Sequence, residues 1–512
     1  MNYNNNYLTT LMLLPLLSIV GLTAQASPNS IDNTIYFKSQ IKDDAQCALS
    51  VKQGNLVFPE SITNPATSCP DAFAWKKFVE TIKSEFWKNW AYDAYNWPAK
   101  PYALCSKNNK SSSCCAPSSE INPGYKNTNN PGIHCPYYPA DHLAVMQQPL
   151  TVGKPSFKQH FNIPHTSLKN SIINKLDPGR VIRQEMAEVV YRNRPMWAYT
   201  FKNDLYNQEG LAKRFKLTET TINANAPYRA KAVRIEYPIG SVMFKSDWLH
   251  EDEAKKLGLH NNKKHPYITQ YMKSAIGDND PNRFRTGLHY LVAITAASKD
   301  LPNWHWYAIE HVDNLGRCDY TGCNDSFGYA TADKVPDGYA KNYTKPRTAS
   351  DGLKSPSPIF VTGKKYPSGK ISKALKKIYQ DMGIATKSFN KQKQPSVNNK
   401  AWLSYRLKGT QTEFVTKQGS NTVMGNSVTE GGFVNSSSCM TCHAQATVNN
   451  KGQPAITSVG FSSELNLFGY RRSANGTPKS SWFYTPGSNS LKAIQVDFVW
   501  GILFAKELAA PN

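Results

Sequence analysis

Ten cysteines constrain this chain more than any other feature, because eight of them make an even set that can close four disulfides. Six crowd into the first third: Cys47, Cys69, Cys105, Cys114, Cys115 and Cys135. Cys318 and Cys323 are close enough in sequence to close a small loop and are the first pairing expected. The other connectivities stay open, since spacing alone does not choose among them. Residues 8–24 are mostly apolar and lead into Ala24-Gln25-Ala26, which fits a signal-peptidase site before Ser27, although residues 1–7 carry no lysine or arginine. The apolar run is shorter than the ~20 residues that span a bilayer, and so is residues 498–505. The expectation is export to an oxidising compartment, periplasmic or extracellular, with no transmembrane segment left after residues 1–26 are removed.

The 512 residues suffice for two or three domains, and 40% hydrophobic residues with 12% aromatics exclude a disordered chain. Behind Pro70, which suits a first helical turn, Phe73, Phe78, Val79, Ile82 and Phe86 recur at helical spacing. A second helix is expected over residues 180–191 from Val181, Ile182, Met186, Val189 and Val190. The centre reads as β: residues 232–248 alternate around a Pro-Ile-Gly break. Residues 288–296 and 304–312 are two further runs joined by a short polar connection, the pattern of antiparallel strands. The expected class is α+β. A disulfide-stapled, partly helical region (27–170) precedes a β-rich centre (171–400) with a basic stretch at 364–400. A terminal segment (401–512) packs on that centre.

The terminal segment holds Cys439-Met440-Thr441-Cys442-His443, the C-x-x-C-H sequence that attaches c-type haem. Two cysteines three apart lie on one side of a helical turn, within reach of both haem vinyl groups, and the next histidine projects toward the iron. Ser438 suits the N-cap of that turn. A thioredoxin-like pair would follow a strand in a βαβ unit, and a structural zinc site would need further paired Cys and His nearby. A disulfide across two intervening residues would close a tight loop. One covalent haem c is therefore expected, with Cys439 and Cys442 as its attachment points and His443 as the proximal iron ligand.

On this motif the chain resembles the cytochrome c superfamily, and more narrowly the large exported bacterial single-haem proteins labelled cytochrome c family proteins. The narrower resemblance rests on residues 304–314 and on Gly409-Thr410-Gln411-Thr412-Glu413-Phe414 leading through Gly425-Asn426-Ser427 to the motif. It covers about residues 230–512 and implies haem and electron transfer, with no specific reaction. The chain departs from small cytochromes c in that no methionine or histidine follows His443. The sixth iron ligand is left open between His311, Met424 and a position held by water or nothing.

Lysine and arginine number 60 against 37 acidic residues, a formal net charge of +23. The basic stretch is read as a solvated face, or as a docking patch for an acidic redox partner protein. An exported haem protein is not expected to bind nucleic acid despite that charge. Three functional classes stay in play: a monohaem electron-transfer protein, a haem enzyme of peroxidase or oxidase type with an open distal site, and a haem-based binding protein or sensor.

Overall fold

The computed structural model describes residues 47–106, 112–142, 150–152, 186–224, 233–275, 284–330, 365–389, 391–417, 419–430, 434, 437–455, 461–462, 467–468 and 475–510. The signal segment expected at 1–26 and the first half of the helix expected at 180–191 lie outside them.

An eight-stranded sheet forms the centre. Its strands are β1 (Ala91–Tyr92), β2 (Leu150–Val152), β3 (Ala187–Arg192), β4 (Val242–His250), β5 (Thr269–Ala275), β6 (Phe284–Ser298), β7 (His305–His311) and β8 (Tyr405–Gln411). The order runs β8-β7-β6-β4-β3-β1, with β5 on the first half of β6 and β2 on β5. Every pairing is antiparallel except that of β2 with β5. The α+β class with an antiparallel centre is therefore the observed architecture. The sheet takes strands from residue 91 to residue 411, so all three stretches of the chain contribute to it.

Two sequence expectations change. Residues 187–192 form a strand where a helix was expected as far as residue 191. Ala187, Val189 and Tyr191 are buried on one face, while Glu188 points to the other, so a period of two fits the segment once β4 lies beside it. Only the second half of 232–248 is strand, because Pro238 and Gly240, the latter at φ +82°, turn the chain just before Val242. The strands expected near 288–296 and 304–312 are β6 and β7, paired antiparallel.

Alternation along the strands makes two different faces. Phe244, Trp248, Ile294, Tyr307, Ile309, Tyr405 and Leu407 share a cluster with Trp75, Phe78, Val79 and Ile82 of helix α1 (Pro70–Lys83). Leu375, Ile378 and Tyr379 of the lysine-rich helix α4 (Lys373–Asp381) join that cluster. Met243, Ala297, Trp306 and Ala308 look the other way. They pack with Met196, Trp197 and Phe201 of α2 (Arg194–Lys202), with Leu211 and Phe215 of α3 (Gln208–Asn223), and with the C-terminal segment.

The four disulfides are Cys47–Cys69, Cys105–Cys114, Cys115–Cys135 and Cys318–Cys323. The last is the pair expected from spacing, and the set fits an oxidising compartment. Among the described residues no helix is long and apolar enough to cross a membrane.

Asp71, fully buried in the first turn of α1, ties that helix to the far side of the fold. It accepts from Asn324 Nδ2 (2.6 Å), Ser326 N (2.8 Å), Ser326 Oγ (3.0 Å) and Thr410 Oγ1 (3.1 Å). Burial, helped by the neighbouring Asp325 carboxylate, pushes the Asp71 carboxyl up to about 7 despite those donors. The folded chain thus keeps a proton that the unfolded chain gives up near pH 4, so stability falls as pH rises from about 4 to about 7. The loss is on the order of 4 kcal/mol across that range. Urea midpoints measured against pH should fall over this interval, and Asp71→Asn should make the decline shallower; an Asn variant with the wild-type slope rules this account out.

Candidate haem site

The motif forms a short helix, α5 (Cys439–Ala444), laid over the β7–β8 end of the sheet. Ser438 caps it, its hydroxyl accepting from Thr441 N at 3.2 Å. Gln411, the last residue of β8, grips the same helix end twice. Its Nε2 donates to Ser438 Oγ (2.8 Å) and to Thr422 Oγ1 (2.7 Å), and its Oε1 accepts from Met440 N (3.1 Å). Thr441 Oγ1 donates to Gly476 O at 2.6 Å from the other side.

Cys439 and Cys442 lie one helical turn apart and neither is in a disulfide. Cys439 is buried with its Sγ 3.6 Å from Met424 O, whereas Cys442 is half-buried. Burial, with Glu430 acting in the same sense, holds the Cys439 thiol well above its ordinary range. The half-buried His443 sets Nδ1 2.8 Å from the carbonyl of Phe498. That carbonyl can only accept, so Nδ1 carries the proton and Nε2 keeps its lone pair. Burial, reinforced by the positive charge of Lys245, pushes the imidazole down to about 3, so it stays neutral. Trp306 of β7 lies against it, ring centroids 4.4 Å apart, and Trp500 stands edge-on at 6.3 Å.

The Phe498 carbonyl is held by an unusual piece of backbone. Asp497 and Phe498 both adopt positive φ, +48° and +67°. Left-handed geometry in two consecutive non-glycine residues costs energy and persists only where the surroundings impose it. Here they do. The buried Asp497 carboxylate meets Lys299 Nζ (2.7 Å), Trp304 Nε1 (3.2 Å) and Tyr237 N (2.7 Å).

The candidate sixth ligands separate. Met424 is buried in the cluster that holds Cys439, Met440 and Trp306, and its backbone bridges to Ser437 and Ser438. His311 is not brought to the motif. It shares a face with His305, Tyr307 and Ile309, opposite Trp306, and stacks on Tyr267 at 3.6 Å. Both its ring nitrogens are engaged, Nε2 with Pro266 O (3.3 Å) and Nδ1 with Asp313 N (3.2 Å).

The residues present fit a covalently held haem. Two thiols outside the disulfides share a helical turn, and a neutral imidazole follows with one nitrogen fixed by a carbonyl and the other available. Trp500 Nε1, beside His443, is buried without a hydrogen-bond partner among the described residues. No grouping of three or more His, Cys, Asp or Glu able to hold a bare metal ion occurs among the described residues.

Gln411 lay inside a stretch singled out from sequence, but nothing local marks it as the clamp on α5. Asp497 carries no sequence signal, and Phe498 shows only as the start of the apolar run 498–505. The basic stretch is placed by α4, whose exposed Lys373, Lys376 and Lys377 lie on the α1 side of the sheet. The motif lies on the other side, so the lysines of α4 do not surround His443. Comparison with protein-family models, curated proteins and solved structures finds no match to this chain.

Proposed function

We propose that this chain is an exported monohaem c-type cytochrome that transfers electrons. The observation that carries this reading is the His443 Nδ1–Phe498 carbonyl bond, set directly behind two cysteines on one helical turn. A metal-bound histidine commonly donates its second ring N–H to a carbonyl or carboxylate, which fixes the tautomer and raises ligand basicity. Cys439 and Cys442 would hold the group covalently and His443 Nε2 would reach its iron. The group supplies one-electron chemistry at that iron. The chain's own contribution is to orient the imidazole through Phe498, to pin the helix through Gln411, and to cover the site with Trp306 and Trp500. An acidic redox partner remains part of the proposal, with its docking surface sought on the motif's side of the sheet rather than on α4.

The engagement of both His311 nitrogens favours a second reading, in which the distal position is open and the protein is a haem enzyme or sensor. The reduced optical spectrum before and after carbon monoxide decides between them. A c-type spectrum unmoved by carbon monoxide supports electron transfer and makes Met424 the ligand to mutate. A shifted spectrum supports the open site, and a preparation from cells competent in haem attachment that carries no haem overturns both readings.

A further inference from the structure

Beneath the loop that leads into α5, the motif side of the sheet carries charge where a core would ordinarily be apolar. Asp247 of β4 is 1% exposed and stands directly opposite Glu188 of β3 in the strand register. Lys245, two residues along β4 on the same face, reaches Glu188 at 3.8 Å and Glu430 at 4.0 Å. Thr429 Oγ1 donates to Asp247 Oδ2 at 2.6 Å, and Asn426 N donates to Glu430 Oε2 at 2.6 Å. A second buried pair, Lys408 and Glu310 at 3.4 Å, lies alongside, with Ser427 N on Glu310 Oε1 at 2.8 Å. Three carboxylates thus gather round the Lys245 ammonium, two of them facing each other across a strand pair.

Like charges directly opposite on a sheet repel, and burial of one of them makes joint ionisation costlier. One proton on the Asp247–Glu188 pair relieves both. Burial and the facing Glu188 raise the Asp247 carboxyl above the ordinary carboxylate range, with Lys245 opposing. Glu188 is the member with access to water, its side chain 45% exposed. The same charges act on the motif: Glu430, Lys245 and Lys408 bear on the Cys439 thiol, and Lys245 bears on the His443 imidazole.

We propose that the Asp247–Glu188 pair is a proton site linked to the redox state of the group held by Cys439, Cys442 and His443. This rests on the haem reading above. When a one-electron donor, such as a reduced redox protein or dye, lowers the charge at the iron by one, the pair takes one proton from water through Glu188. When the electron leaves, the proton returns by the same route. One electron and one proton move together, and no bond to carbon, sulfur or iron changes.

The test is a dye-mediated redox titration of the haem-loaded protein from about pH 5 to about pH 9. In wild type the reduction equilibrium constant should fall with rising pH, approaching tenfold per pH unit, about 59 mV, between the proton affinities of the two redox states. Asp247→Asn should remove that slope. Glu188→Gln, at a half-exposed position that tolerates change, takes away the facing charge and should displace the sloping region to lower pH. A wild-type potential independent of pH overturns the proposal, as does an Asn variant that keeps the slope. Should the Asn variant fail to fold, an unmoved sloping region in Glu188→Gln overturns it alone. These failures all occur in protein that carries haem, so they are distinct from absence of the haem band, which removes the parent reading.

Discussion

Replacing Cys439 and Cys442 together by alanine is expected to yield a folded protein that loses all haem on denaturing electrophoresis, where wild type keeps it. The effect is all or none because a thioether survives denaturation and a coordinate bond from His443 does not. Folding should persist, since α5 is pinned by Gln411, by its Ser438 cap and by the bond from Thr441 to the Gly476 carbonyl rather than by its thiols. Each cysteine contributes about 1 kcal/mol of stability as a small apolar side chain. Each single variant should keep one bond and stain for haem at reduced yield. Covalent haem retained in the double variant would refute the attachment residues.

Asp497→Ala should have the largest effect on stability. It strands the Lys299 ammonium in a site where both partners are buried, and leaves Tyr237 N and Trp304 Nε1 without their acceptor. Removing one partner of a buried pair costs about 3–5 kcal/mol, which urea unfolding will read directly. Asp497→Asn separates scaffold from site, because it keeps an acceptor but gives up the charge that holds Lys299. The Phe498 carbonyl would then be less firmly set on His443 Nδ1, the imidazole would donate less to iron, and the reduction potential would rise. A destabilised Asn variant whose potential equals that of wild type would show that Asp497 serves the fold alone.

The parts of this molecule legible in the sequence are those whose signal is local. Cys318 and Cys323 announce their bond by proximity, and Pro70 with its helical string of aromatics announces α1. Strands β6 and β7 show through alternation and the short connection between them. Ser438 and the two motif cysteines can be placed on a helical turn before any coordinates exist. What failed was decided by distant partners. Residues 187–192 read as helix until β4 supplies hydrogen bonds along their edge. His311 stood among the open candidates for the sixth ligand because it ends an aromatic strand, and strand alternation turns it to the face away from Trp306. Gln411, Asp497 and Lys245 gain their roles from chain segments 27 to 260 residues away, and no spacing rule reaches that far. The side of the sheet taken by the basic stretch was open for the same reason: its sequence reports charge, and only the packing of Leu375, Ile378 and Tyr379 reports where it lies.

The bond from Thr410 to Asp71 joins residues 339 positions apart, and β8 closes one edge of a sheet begun at residue 91. A chain emerging N-terminus first cannot finish this sheet until residue 411 is outside, and contacts so far apart in sequence form slowly. Disulfides such as Cys105–Cys114 and Cys115–Cys135 need no such wait. These two short loops can therefore close early, while the seating of α1 through Asp71, and β8 with its Gln411 grip on α5, come late. Until that grip forms, the thiols of Cys439 and Cys442 sit on a segment that β8 does not yet hold, and Cys439 is not yet enclosed.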